Sequence, residues 1–335
     1  MSRQPACNAM GVRLAGTGIS VPQRVLTNDD LAKMVQTSDD WITQRTGIKE
    51  RRIADEGTTV RDLARDALVQ AIQNAGIEPR QIDLLLCATL TPEMCCPSTA
   101  ARLVAELGAT PAGAMDLSAA CSGFVYALNI AAGMIQARTH QTVAIVGVET
   151  LSRITDYNDR RMCILFGDGA GAAIVTASDD PGQGCVYQSM HSDGSLWHEL
   201  YCPRTEADLP EDHDSFSGTF NTLQMNGREV YKFAVTTLRR MIDEALQAAG
   251  VTLQDLAMII PHQSNKRILE SARDRLGLPP DKMIINIDRY GNTSAASVPL
   301  CLHEQIELGR LKTGDLVLFV AIGGGMTWAT SLWRL

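Results

Sequence analysis

Ala71-Ile-Gln-Asn-Ala-Gly76 followed by Ile82-Asp-Leu-Leu-Leu-Cys87 returns 174 residues later as Ala245-Leu-Gln-Ala-Ala-Gly250 followed by Leu256-Ala-Met-Ile-Ile-Pro261. Each copy reads as an amphipathic helix closed by glycine, a short turn, and an apolar strand. A second match keeps the order: Val143-Ala-Ile-Val-Gly147 pairs with Leu316-Val-Leu-Phe-Val320 at an offset of 173. Unbroken apolar strands of this kind are covered by helices on both faces, as in parallel sheets. The chain is therefore read as α/β, built from two duplicated halves at 1–178 and 224–335. The stretch 179–223 scatters Pro, Gly, Asp, His and Ser without period and reads as a connecting or lid region.

Composition narrows the function classes. Of 335 residues, 45% are hydrophobic and 20% charged, enough apolar content for a large core. The formal net charge of -8 argues against nucleic acid or an anionic membrane as the main partner. No apolar run reaches the roughly 18 residues of a membrane helix, and residues 1–11 lack a basic start and an apolar stretch. A cytoplasmic protein is expected. The nine cysteines are odd in number and form no paired CxxC spacing, so neither a disulfide framework nor a metal site is expected. Cys87 and Cys163 read as small buried hydrophobes.

Four segments carry candidate chemistry. In Asp116-Leu-Ser-Ala-Ala-Cys121-Ser-Gly an apolar strand end meets small residues and then an apolar helix. Cys121 at a helix entrance is either a buried hydrophobe or a nucleophile, and the helix dipole would favour its thiolate. In Pro261-His262-Gln-Ser-Asn265-Lys-Arg267 a polar cluster succeeds an apolar strand, the place where open parallel sheets bind ligands. Tyr290-Gly-Asn292-Thr-Ser-Ala-Ala-Ser297 repeats the Cys121 pattern at an offset of 171, which sets Asn292 opposite the nucleophile, although Asn before Thr-Ser is also a common turn residue. Gly323-Gly-Gly325 lets backbone N–H groups approach a ligand; no Lys-Ser/Thr comes after it, so it is not a phosphate loop. Gly167-Asp-Gly-Ala-Gly171 reads as glycine for close packing rather than for a nucleotide.

With these elements in order, the sequence resembles the β-ketoacyl-acyl carrier protein synthase III family of thiolase-like condensing enzymes. The resemblance runs through TSDDWITQRTGIKERRI, DLSAACSGF, ILFGDGAGAA, MNGREVYKF, PHQSNKRI, YGNTSAAS and GGGMTW. It implies a five-layered αβαβα fold, a homodimer, and a triad of Cys121, His262 and Asn292 with Gly324 as an oxyanion donor. It implies acyl-coenzyme A as a substrate rather than a cofactor, with Trp41 and Arg160 flanking adenine, Thr37 touching it, Arg45 and Arg267 near phosphate, and Asn265 along the pantetheine path. Acyl carrier protein is the implied second partner, docking near Lys232, Lys266, Arg273 and Arg275. Cys96, within EMCCPST, matches a position that the partner subunit contributes to the end of the acyl pocket, where Cys is smaller than the Phe of some members. A roomier pocket is expected on that ground. The same triad could also serve secondary metabolism, or acyl transfer to oxygen or nitrogen without decarboxylation.

Overall fold

The computed structural model describes residues 10–210 and 218–335. The repeated helices form as their sequences dictate. Val60–Ala75 starts at Thr59, whose side chain accepts the Asp62 N–H while Asp62 accepts the Thr59 N–H in return, a reciprocal cap of about 1 kcal/mol. It ends at Gly76, whose φ of 65° and N–H bonds to the Ile72 and Gln73 carbonyls close the last turn. Its duplicate Gly227–Ala249 ends identically at Gly250, φ 66°, on the Leu246 and Gln247 carbonyls.

Two sheets share one plan. In the first, the strands lie in the order Gly11–Ser20, Asp168–Ser178, Thr142–Thr150, Leu84–Ala88 and Gly113–Leu117, antiparallel through the first three and parallel thereafter. In the second, the order is Gly184–Ser192, Thr327–Arg334, Leu316–Gly323 and Leu256–Pro261, with the same change from antiparallel to parallel. Its fifth position is reduced to a parallel bridge between Ile259 and Met283. The duplication read from two segments thus extends to every strand position.

Three large apolar cores hold five layers together, the middle one serving both faces of the central helices. Val60–Ala75 and Thr99–Leu107 cover the outer face of the first sheet. Gly227–Ala249 and Lys266–Arg275 cover the outer face of the second. Between the sheets lie Gly123–Gln136 and Ser297–Glu307, packed with Phe124, Leu128, Phe319 and Trp333. The resulting αβαβα order is the one expected.

One boundary moves. The stretch 179–223, read as a connection, contains Gly184–Ser192, the edge strand of the second sheet. Only one face of that strand is covered, so it lacks the apolar run that marks the interior strands. The connection proper begins only after Ser192. The strand Asp168–Ser178 accommodates its glycines by contact: a Cβ on Gly171 would stand 2.7 Å from the Pro299 ring, which explains the Gly-rich sequence as helix-to-sheet packing.

Candidate active site

The two central helices bring their N-terminal turns together. Strand Gly113–Leu117 leads into a tight turn, Ala120–Ser122, in which Ala120 has φ 48°, and the helix Gly123–Gln136 begins directly after it. Small residues are what allow this: strain at positive φ is least costly without a bulky side chain. Cys121 is therefore lifted from the strand end to the base of two cavities, where the residue is 7% exposed.

In the second half the equivalent turn is Ser294–Ala296, with Ser294 at φ 49°, and its helix begins at Ser297. The structural offset is 174, not 171, so the counterpart of Cys121 is Ala295 and that of Asn292 is Ser118. The expectation that Asn292 occupies the duplicate of the nucleophile position is corrected. Asn292 reaches the site from three residues upstream. It is buried, bridges to Phe166, and its Oδ1 accepts the Ser294 N–H at 2.9 Å, which turns its amide NH2 away from the turn.

His262 lies just beyond the end of strand Leu256–Pro261, its N–H donating to the Val320 carbonyl at 2.8 Å. Its Nδ1 sits 2.7 Å from Ser297 Oγ. Gln263 does not face substrate: it is buried and brackets the His262 backbone, its Nε2 donating to the Pro261 and Ile284 carbonyls. Cys121, His262 and Asn292 line one cavity, together with apolar walls from Phe166, Val230 and Leu269. A second cavity of about 970 Å³ meets it at Cys121 and runs past Gly324, Ser294, Leu200 and Cys95.

Electrostatics depart from the sequence reading at the thiol. Burial pushes Cys121 up to about 12, opposed by the Ser294 side chain, so the resting sulfur is a thiol and the helix entrance alone does not make it a thiolate. Burial also drives His262 down to about 3, opposed by the Ser294 carbonyl. The imidazole is neutral at physiological pH. The glycine turn closes the site. A Cβ on Gly323 would stand 2.7 Å from the Cys121 backbone nitrogen, so only glycine fits there, and Gly324 continues into the cavity wall.

A family model described as 3-oxoacyl-(acyl-carrier-protein) synthase III matches residues 115–194, and its C-terminal counterpart matches residues 246–335. A β-ketoacyl-(acyl-carrier-protein) synthase III of Caldanaerobacter subterraneus is 46% identical over 97% of this chain and 98% of that protein. One of Xylella fastidiosa is 46% identical over 96% of this chain and 98% of its own length. The crystal structure of the synthase III of Aquifex aeolicus superposes with a TM-score of 0.90, at 44% identity, over 97% of this chain and all of that one. The chain belongs to the β-ketoacyl-acyl carrier protein synthase III family.

The positions that the synthase III pattern assigns to coenzyme A are partly gathered. Trp41 lies under two guanidinium groups, Arg45 at 4.2 Å and Arg160 at 5.1 Å from the ring centre. Arg160 is also fixed by donating to the Gln36 carbonyl at 3.1 Å. Thr37 is near this cluster in sequence, and among the described residues its buried Oγ1 has no hydrogen-bond partner. Asn265 ties the cluster to the cavity: it caps the helix Lys266–Arg275, its Oδ1 accepting the Arg267 N–H, and its Nδ2 donates to the Arg45 carbonyl at 3.1 Å. Arg267 and Arg275 are exposed.

The proposed docking cations are less uniform. Arg273 is largely covered and faces Asp274 at 3.3 Å and Glu270 at 3.8 Å, Lys266 faces Glu270 at 3.8 Å, and Lys232 faces Glu229 at 3.6 Å. Cys96 is exposed and lines neither cavity of its own chain, whereas Met94 and Cys95 line the larger one. Cys87 and Cys163 are buried among apolar residues, as their sequence context implies. Among the described residues no cluster of three or more His, Cys, Asp or Glu could hold a metal ion, and no helix is long and apolar enough to cross a membrane.

Three further residues belong to the site that sequence reasoning does not single out. Ser297 stands in the quoted YGNTSAAS segment, but only folding reveals it against His262. Ser294 betrays itself by its positive φ, which no local sequence signal announces. Glu149 lies one residue before the end of an apolar strand, where a lone acid reads as a strand terminus; it is fully buried beside the site.

Proposed function

We propose that this synthase III joins an acyl-coenzyme A primer to malonyl-acyl carrier protein, with loss of carbon dioxide, to give 3-oxoacyl-acyl carrier protein and begin fatty-acid synthesis. The observation that carries this is the convergence of Cys121, His262 and Asn292 on one cavity. A thiol beside backbone donors fits nucleophilic attack on a thioester, with the tetrahedral oxygen held by the N–H groups of Cys121 and Gly324. Coenzyme A leaves and the primer stays on Cys121. Malonyl-acyl carrier protein then loses carbon dioxide, and the enolate oxygen accepts hydrogen bonds from His262 and Asn292. The carbanion attacks the acyl-Cys121 thioester and frees the sulfur.

The neutral state of His262 and the amide of Asn292 support decarboxylation over proton abstraction. Neither group carries a negative charge that would repel an enolate, and an imidazole driven this far down by burial is too weak a base to abstract a carbon-bound proton. Ser297 Oγ gives its one proton to the Ser294 carbonyl at 2.8 Å and stands 2.7 Å from His262 Nδ1, which fixes the imidazole ring against the turn. The Trp41–Arg160–Arg45 stack suits an adenine between aromatic and guanidinium planes, with the exposed Arg267 suited to phosphate. Coenzyme A is thus bound as substrate, and nothing in this chemistry calls for a cofactor.

Acyl carrier protein is acidic in the family, and Arg267, Arg275 and Lys232 are exposed cations on the second half's outer helices that could receive it. A homodimer is supported by the strand Gly113–Leu117, which closes the first sheet with an edge unpaired among the described residues and an exposed Met115. The partner's copy of the Cys95–Cys96 segment would then bound the acyl cavity, and the small thiol side chains predict tolerance of primers longer than acetyl. The test is a competition among acyl-coenzyme A primers of two to ten carbons with malonyl-acyl carrier protein, monitoring carbon dioxide and 3-oxoacyl product together. One carbon dioxide per product is expected; product without carbon dioxide would refute condensation, and turnover confined to acetyl would refute the roomier pocket.

A further inference from the structure

The thiol proton has no destination in the triad. Cys121 is a thiol at rest, and the neighbouring imidazole is neutral and driven far below the range in which it would hold a proton. Asn292 cannot accept one. The structure does contain a base in the right place, supplied by two residues outside the family triad.

Glu149 is the penultimate residue of strand Thr142–Thr150 and is 0% exposed. Its carboxyl accepts the Leu90 N–H at 3.1 and 3.2 Å and the Thr91 hydroxyl at 2.9 Å, with Thr89 Oγ1 at 3.5 Å. All of these donors are neutral. Among the described residues no cation forms an ion pair with it, an unusual circumstance for a buried carboxylate. The other titratable groups coupled to it are thiols, Cys121 on the nucleophile turn and Cys87 on strand Leu84–Ala88. Burial pushes Glu149 up to about 7, against its hydrogen-bond donors.

Ser294 belongs to the turn that packs against both the Cys121 turn and the Glu149 strand, and it lines the same cavity as Cys121. The turn that carries it packs against the end of the Glu149 strand so closely that a Cβ on Gly147 would lie 2.3 Å from the Ala295 carbonyl oxygen. Its side chain is set toward both groups, drawing down the pKa of Cys121 and of Glu149. Yet its buried Oγ closes a hydrogen bond of good geometry with neither. A buried hydroxyl left without a fixed partner is costly, and so is a non-glycine residue at φ 49°. Both costs fall on one residue that lines the cavity beside Cys121.

We propose that Ser294 relays the Cys121 proton to Glu149, which holds it while the sulfur attacks the primer. The relay rests on Cys121 as the acyl-carrying nucleophile. The S–H bond breaks as its proton passes to Ser294 Oγ, and the Ser294 proton passes to a Glu149 oxygen. The sulfur keeps the electron pair and bonds to the acyl carbon. When the thioester C–S bond breaks, the proton returns through Ser294 to the departing coenzyme A sulfur. Glu149 ends each acylation as it began, so no co-reactant is consumed. Ser294 is the catalytic residue of the pair, and Glu149 is a positioning residue that acts through it.

The experiment is iodoacetamide alkylation of Cys121, read by peptide mass spectrometry between pH 5.5 and 10, on the wild type, Glu149→Gln, Ser294→Ala and Ser294→Gly. In the wild type, reactivity should climb through a step near pH 7 as Glu149 becomes able to accept the proton, and climb again where the thiol ionises unaided. Glu149→Gln should lose the lower step and react at least ten times more slowly at pH 7.5. Both Ser294 variants should behave alike, because each lacks the hydroxyl; Gly is unstrained at this φ, so it reports on the relay even if the Gln variant folds poorly. An unchanged profile in the serine variants, or faster alkylation in Glu149→Gln, would overturn the relay, the latter because the carboxylate would then only oppose the thiolate. If wild-type Cys121 resists alkylation throughout, the nucleophile assignment falls, and the relay with it.

Discussion

The turns Ala120–Ser122 and Ser294–Ala296 are the same backbone device used twice. Both come after the last strand position of their sheet, both hold one non-glycine residue near φ 48–49°, and both open onto a helix buried between the sheets. Their side chains have diverged completely. The first turn carries Cys121 at the meeting of two cavities; the second carries Ala295, sealed against Gly147 and Gly123. The second half contributes its chemistry from either side of the turn, through Asn292 before it and Ser297 after it. Duplication supplied two strained turns aimed at one point, and divergence gave one a nucleophile and made the other its support.

The comparison can be broken at three places. Asn292→Ala removes a donor from the second turn's approach and should lower condensation about 100- to 1,000-fold, while acylation of Cys121 keeps its rate; equal loss in both half-reactions would mean that Asn292 only shapes the turn. Ala295→Leu should show that the counterpart of Cys121 is a packing position. With Ala295 fully buried against the first sheet, overpacking there should cost about 1–3 kcal/mol of stability, read from the urea midpoint, whereas Cys121→Ala borders open space and should cost less. Equal midpoints would contradict the difference between the turns. Ser297→Ala removes one neutral hydrogen bond from His262 Nδ1 and should lower kcat for condensation about tenfold without changing KM for the primer.

Much of this was legible in the chain because interior strands and helix ends obey local rules. LLLC, AIVGV and LVLFVAI are buried on both faces and could be nothing else, and Gly76 and Gly250 announce their helix ends. The edge strand Gly184–Ser192 escaped because half of it faces outward, with Val186 and Met190 exposed. The triad residues were legible as motifs, but their register was not: three residues separate Asn292 from the true counterpart of Cys121, a shift that only backbone geometry exposes. The acidity of Cys121 is hidden from the sequence for a related reason. A helix entrance is visible in sequence, whereas the enclosure that overrides it is assembled from Phe166, Leu200 and the glycine turn, all distant in the chain.

The central claim is that Cys121 holds the primer while a second substrate decarboxylates, and intact-protein mass spectrometry tests it most directly. Mixed with an acyl-coenzyme A alone, the protein should gain the mass of one acyl group per chain, located by peptide mapping on Cys121. Addition of malonyl-acyl carrier protein should discharge that group with one equivalent of carbon dioxide. An acyl group found on another residue, or product formed at the wild-type rate by Cys121→Ala, would contradict the account.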